Sequence, residues 1–236
     1  NNGIQNSKGK YIAFLDSDNI WLKNHLEEFI KYLQNCQNEK CLFFSKVFYC
    51  QNDSVELKKD SELKKIELFQ FLLTETFSTS RIIVHCDILK KYKFDPCLPG
   101  VEDLDLTLRI ATEFPILQMP EPTVHYFLEE DSYTLGDKKR FEKELRYFQI
   151  ISRKSELEGF LPSKPLRRLK SMCFFHIGLS RFESKDRSAS VINLIKAFLL
   201  YPKGYNGKNN KILFAHLILN IPIVGFLIKS IKKQKK

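Results

Sequence analysis

Two carboxylates one residue apart, Asp16 and Asp18, close the apolar run Tyr11-Ile12-Ala13-Phe14-Leu15. Hard oxygen ligands so closely spaced, with room left for water and phosphate oxygens, suit Mn²⁺ or Mg²⁺ holding a diphosphate. A second acidic cluster, Glu102-Asp103-Leu104-Asp105, follows the turn signal Pro99-Gly100 and falls in the first turn of an expected helix. Acids there have an ordinary role, accepting from free N–H groups and favouring the helix dipole. A carboxylate in such a place can also take the proton of an attacking hydroxyl.

The elements that must position these groups are legible in outline. The run before Asp16 is short, rich in Ile and aromatics, and preceded by Lys8-Gly9-Lys10, which predicts a buried strand with both acids at its C-terminal end. In open α/β sheets that edge leaves a crevice for ligands. Trp21 to Cys36 predicts an amphipathic helix with Leu22, Leu26, Phe29, Ile30 and Leu33 facing inward, Lys23, Glu27, Glu28 and Lys31 facing water, and His25 partly exposed. Strands are expected over Cys41–Cys50 and Ser80–Val84, and helices over Ile66–Leu73 and Asp87–Tyr92. Val55 to Lys65 reads as a surface excursion or a flexible insert. Pro96 keeps Asp95 extended and opens the loop that ends at Gly100. Arg109 reads as a structural partner for nearby acids. Three helices follow, from Arg140 to Ile151, from Leu166 to Leu179 and from Ser188 to Leu200, the last stopped by Tyr201-Pro202-Lys203-Gly204.

With 236 residues, 43% of them hydrophobic, the chain can bury a substantial core as one domain plus an appendage. Its formal charge of +10 is unevenly spread. Residues 1–150 hold 20 Lys+Arg against 24 Asp+Glu, and residues 151–236 hold 18 against 4. A basic end of this kind points to an anionic surface. Ile212 to Ile228 is nearly all apolar but is broken by Pro222 and falls short of a span, and Lys229, Lys232, Lys233, Lys235 and Lys236 follow at once. That pairing predicts attachment to an anionic membrane surface, with a helix buried against the domain as the alternative. Nucleic acid is not expected as a partner, because the basic residues interleave with aliphatic rather than stacking side chains. The six cysteines form no C-x-x-C pair and several lie in apolar runs, which predicts free thiols in a reducing compartment and no zinc site.

Asn1-Asn2-Gly3-Ile4, Gly9 to Asn19, Trp21 and Leu26-Glu27 together resemble the donor-binding core of family 2 glycosyltransferases. Phe94-Asp95-x-x-Leu98-x-Gly100, then Glu102-Asp103 and Leu106-x-x-Arg109, is similar to that family's acceptor-side motif and comes in the expected order. The resemblance implies an α/β fold of GT-A type, a Rossmann-related mixed sheet with flanking helices. The family's first β-α-β portion would be missing, since the chain opens without a Met on Asn1-Asn2-Gly3, with no signal-peptide pattern. A partial catalytic domain over residues 1–135, a helical extension over 136–210 and a membrane-associating tail over 211–236 follow from this reading. The resemblance further implies a metal-dependent, inverting transfer from a nucleotide-diphosphate sugar, a UDP-sugar by expectation, to a surface glycan or lipid-linked saccharide. Cytoplasmic action at the inner membrane face is expected. Asp103 maps onto the catalytic base with Glu102 beside it, Asp16 and Asp18 onto the metal ligands, and Gly3, Ser17 and Ser132 join the two aspartates in donor binding. One departure stands out: where the family carries Arg-x-His before a Ser, Phe127 and Glu129 fall at those positions, and His125 lies four residues early. His125 is retained as a candidate metal ligand and Glu129 as its alternative. A non-catalytic, membrane-associated remnant of a transferase is the competing expectation.

Overall fold

The structure, a computed structural model, describes residues 1–36, 39–51, 54–57, 78–127 and 140–202. The expected helix over Ile66–Leu73, the candidates Glu129 and Ser132, and the apolar-basic tail from 211 lie outside the described residues. The chain divides into two units, residues 1–136 with 151–161, and residues 137–150 with 162–236.

The first unit is built on one six-stranded mixed sheet. After a short helix α1 (Asn2–Asn6) come β1 (Tyr11–Ala13), β2 (Asn19–Trp21), α2 (His25–Gln34), β3 (Leu42–Gln51), β4 (Ser54–Leu57), a 3₁₀ turn (Thr79–Arg81) and β5 (Ile82–His85). Next are α3 (Cys86–Lys91), α4 (Glu102–Ala111) and β6 (Ile116–Phe127). The spatial order is β1-β5-β3-β6-β2, with β4 pairing the far end of β3. Only β3 and β6 run parallel, Leu42 opposite Ile116 and Cys50 opposite Phe127; the other pairs are antiparallel. A register shift between Phe44 and Val47 interrupts the β3–β6 ladder, and in that stretch the Ser45 carbonyl accepts a hydrogen bond from buried Arg81 Nε at 2.8 Å.

Side-chain alternation covers both faces of the sheet centre. Phe43, Ile83, Cys41 and Met119 pack with Phe29 of α2, joined by Tyr11, Tyr32, Leu33 and Cys36. Leu42, Phe44, Ile82 and Val84, which alternate with them, are buried as well. Edge-to-face contacts of Tyr11 with Phe29 and of Phe29 with Phe43, both at 5.1 Å between centroids, lock α2 to β1 and β3.

The structure corrects the expected helix over Trp21–Cys36 in two ways. Trp21 belongs to β2, paired with Val124, and the helix starts at His25. Its inward face is His25, Phe29, Tyr32 and Leu33, with Cys36 just past its end, whereas Leu26 and Ile30 are each 50% exposed. The face is turned because His25, read from sequence as partly exposed, is buried. Its Nδ1 lies 2.7 Å from Thr123 Oγ1, and its ring stacks on Trp21 at 4.4 Å. Hydrophobicity alone could not rank a histidine with two such partners above a leucine.

A charge network fixes the chain around α4. Asp105, wholly buried one turn before Arg109, accepts from Arg109 Nε at 2.9 Å and lies 2.7 Å from its Nη2. Lys154 Nζ reaches Asp105 Oδ1 at 2.8 Å and Asp95 Oδ2 at 2.7 Å, and Arg109 Nη2 donates to the Lys93 carbonyl. The loop 93–100 and the segment 151–161 are therefore tied to one buried carboxylate, which bears out the structural reading of Arg109.

In the second unit the described residues form helices: α5 (Arg140–Ile151, of which all but the last residue lies in this unit), α6 (Ser163–Glu183) and α7 (Arg187–Leu200). Pro162 and Pro165 stand at the cap and in the first turn of α6, after the break that follows α5, where a missing N–H costs nothing. α6 and α7 form an antiparallel hairpin whose turn holds Lys185 at φ 64° and is capped by the Asp186 carboxylate accepting from Ala189 N–H. The helices approach closely at Gly178, where a Cβ would stand 2.8 Å from Leu194 Cγ. Ser190 Oγ donates to the Gly178 carbonyl at 2.8 Å and Ser171 Oγ to that of Ala197 at 2.7 Å. Among the described residues no helix is long and apolar enough to cross a membrane.

Two outcomes follow. Burial lowers the His25 pKa from 6.5 to about 4. The folded protein keeps His25 neutral while the unfolded chain protonates it, so its contribution is complete above pH 6.5 and is lost as pH falls toward 4, by roughly 3 kcal/mol. Urea unfolding of His25→Gln across that range is expected to lack this component, and a profile parallel to wild type contradicts it. Asp105→Asn strips the counter-charge from Arg109 and Lys154 and is expected to cost roughly 3–5 kcal/mol by chemical denaturation.

Candidate active site

The acidic loop after β1 meets the turn that precedes β5. Pairing of Ala13 with Ile83, continued by Phe14 N–H donating to the Ile82 carbonyl at 3.2 Å, brings residues 78–80 beside Asp16. Ser80 Oγ donates to Asp16 Oδ2 at 3.0 Å and accepts from Asp16 N–H at 2.9 Å. Ser78 Oγ is 3.5 Å from the same carboxylate oxygen. Asn19, nearly buried, donates from Nδ2 to Asp18 Oδ1 at 2.9 Å and to Ser80 Oγ at 3.2 Å, and Trp21 Nε1 donates to the Ser80 carbonyl at 2.9 Å. Asp16 is half-buried, while Ser17 and Asp18 are exposed. Ser78, Ser80 and Asn19 were not singled out from sequence. The available signal was a Ser-Thr-Ser run immediately before a strand, which only strand order connects to Asp16.

The second acidic cluster occupies the first turn of α4. Asp103 Oδ1 accepts the first-turn Leu104 N–H at 2.6 Å, the service expected of an acid there, whereas Glu102 reaches back to accept from Gly100 N–H in the preceding turn. Asp103 does more than cap. Burial in its recess, although some side-chain surface still meets solvent, pushes its carboxyl from 3.8 up to about 7. The Leu104 N–H opposes that rise, and the charges of Glu102 and Asp16 add to it. The charge of Asp16 is thus felt at Asp103, far along the chain. The loop before α4 is held to the chain start and to β1: Asn1 Nδ2 donates to the Phe94 carbonyl at 2.9 Å, Asn1 Oδ1 accepts from Phe94 N–H at 3.1 Å, and Phe14 packs edge-on against Phe94.

The remaining candidates are less concentrated. Gly3 lies in α1 with open space where a side chain would stand. His125 sits on β6 opposite Ile20 and Phe48, and its ring meets Phe48 and Phe127 edge-on. Among the described residues the group with three ligand types close together is His85, Cys86 and Asp87, within 4.8 Å of one another. Its carboxylate is already engaged, by Lys90 at 2.8 Å and Lys40 at 3.1 Å, and the hydrogen bonds from Lys90 and then Lys40 hold Asp87 down at about 2. His85 Nδ1 accepts the Asp87 N–H as the cap of α3. These atoms serve a helix start rather than a cation.

Residues 1–95 match the model of glycosyl transferase family 2. An uncharacterized glycosyltransferase of Methanocaldococcus jannaschii is 32% identical over 145 residues, covering 59% of this chain and 50% of that protein. The amylovoran biosynthesis glycosyltransferase AmsB of Erwinia amylovora is 24% identical over 136 residues, 54% of this chain and 45% of its own length. The chain therefore spans about half the length of these curated relatives. The solved structure of S. aureus TarS residues 1–349 is similar with a TM-score of 0.52 and 14% identity, over 86% of this chain and 59% of that one, a likeness of fold. The acidic loop after β1 lies within the stretch that matches glycosyl transferase family 2, and residues 1–95 therefore carry that family's signature on a GT-A-like α/β fold.

Proposed function

We propose that the protein transfers a glycosyl group from a nucleotide-diphosphate sugar, a UDP-sugar, to a hydroxyl of a glycan or lipid-linked saccharide, with inversion at the anomeric carbon. The single observation that carries this reading is Asp103. Its carboxyl is poised at about 7 and responds to the charge of Asp16. A base with a pKa near the working pH combines a useful deprotonated fraction with enough basicity to accept a proton.

In this reading the acceptor hydroxyl gives its proton to the Asp103 carboxylate as its oxygen bonds the anomeric carbon, and the bond from that carbon to the diphosphate breaks on the opposite face. Glu102 raises the basicity of Asp103 through its charge. Gly3, Ser17 and Ser132 belong to the donor side of the proposal. Asp16 and Asp18 would hold Mn²⁺ or Mg²⁺. A half-buried and an exposed carboxylate on one loop fit a hard cation that keeps room for water and diphosphate oxygens. Bound there, such a cation supplies Lewis-acid stabilisation of the leaving diphosphate. His125 and Glu129 stay secondary candidates for that role. The name of the Erwinia relative supports a glycan-building role. The sequence of the tail, apolar over 212–228 and then rich in lysine, supports attachment to anionic lipid at the inner membrane face.

The test uses purified protein with a panel of nucleotide sugars and acceptors. Asp103→Asn is expected to lower transfer by about 10² or more with donor binding near wild type; transfer within a few-fold of wild type removes the base assignment. Because Asp103 acts deprotonated, the rate is expected to rise with pH through an apparent pKa near 7. Glu102→Gln, which removes a charge that raises that pKa, is expected to move the rising limb to lower pH, and an unmoved limb contradicts the electrostatic reading. Asp18→Asn is expected to abolish stimulation by Mn²⁺, and full transfer in EDTA refutes the cation site.

A further inference from the structure

The residue that most controls the Asp16-Ser17-Asp18 loop carries no charge. Ser80 is fully buried. A serine hydroxyl has one proton to give and two lone pairs to receive, and all three are used here. The proton goes to Asp16 Oδ2 at 3.0 Å, and the lone pairs accept Asp16 N–H at 2.9 Å and Asn19 Nδ2 at 3.2 Å. Every partner lies on the loop 16–19. Asn19 uses its other amide hydrogen on Asp18 Oδ1 at 2.9 Å, so the carboxylates are joined through one serine and one carboxamide. Ser80 is itself held from two sides: its N–H donates to Ser78 Oγ at 3.3 Å and its carbonyl accepts from Trp21 Nε1 at 2.9 Å.

We infer that Ser80, acting with Asn19, is a positioning residue that presets the Asp16 and Asp18 carboxylates for a divalent cation. This rests on the cation site proposed above. Asp16 is fixed through its own amide and through Oδ2, and Asp18 through Oδ1, so one oxygen of each remains for an outside ligand. A loop carboxylate without such support must be ordered when the cation arrives, and that ordering subtracts from affinity. Hydrogen-bond partners that orient metal-binding side chains are commonly worth ten- to a hundredfold in metal affinity. A purely architectural Ser80, holding β5 against β1, would change stability and leave cation binding alone.

The two roles separate in a binding measurement on the full chain, with Mn²⁺ followed by electron paramagnetic resonance and folding checked by circular dichroism at low temperature. Ser80→Ala is expected to raise the Mn²⁺ dissociation constant by about tenfold or more. Trp21→Phe removes only the indole donor to the Ser80 carbonyl while keeping a ring against His25, and is expected to raise it by about threefold. Asp16→Asn, run in parallel, is expected to weaken binding most. Wild-type affinity in folded Ser80→Ala overturns the inference, and if that variant does not fold, wild-type affinity in Trp21→Phe does so. Where Asp16→Asn binds weakly and the other two match wild type, the positioning role alone fails. Where wild type and Asp16→Asn bind Mn²⁺ equally, the cation site fails and the inference goes with it.

Discussion

β5 runs antiparallel to both β1 and β3, and that constraint places the chemistry. A strand entering against two neighbours must begin where they end or where the crevice lies. The residues just before Ile82 are therefore delivered to the edge where β1 gives way to Asp16. The hydrogen bonds on the acidic loop come from residues 78–80 and from Asn19 at the start of β2, while Trp21 at its other end holds the Ser80 carbonyl. Removing the β1–β5 ladder would leave two carboxylates on an unsupported turn.

The second determinant is how α4 distributes charge. Asp103 and Asp105 stand two residues apart and therefore point in different directions around the helix. Asp105 meets Arg109 and Lys154 and ties down the preceding loop. Asp103, which no ion pair reaches among the described residues, is raised to about 7 by burial, with the charges of Glu102 and Asp16 adding to the rise. One aspartate is spent on architecture and its neighbour is kept basic. The first makes the second possible, because a loop free to move would let water relieve the crowding that raises the pKa.

Local chemistry made much of this legible from the residues alone. The β1 strand ahead of its acids, the short helix near 87–92, the first-turn position of Glu102 and Asp103 and the three late helices follow from period, turn signals and proline. What escaped was decided by long-range pairing. Trp21 carries the composition of a helix start yet pairs with Val124. His25 reads as an amphipathic-helix surface residue until Thr123, brought in by β6, offers it a partner. Ser80 is one of many serines until strand order sets it against Asp16. Pro120 and Pro122 argue against a central strand, yet β6 passes through both, beside the stretch where its pairing with β3 shifts register.

The α6–α7 hairpin has a mechanical consequence. Its helices are keyed by two hydroxyl-to-carbonyl bonds at separate levels, one of them made to Gly178, where the absent side chain lets Leu194 approach. Sliding either helix by one turn would uncouple both keys together and carry Leu194 away from the gap at Gly178. Slippage is thus all-or-none, and a force applied to one end of the pair is passed along as displacement of a stiff beam rather than absorbed as shear.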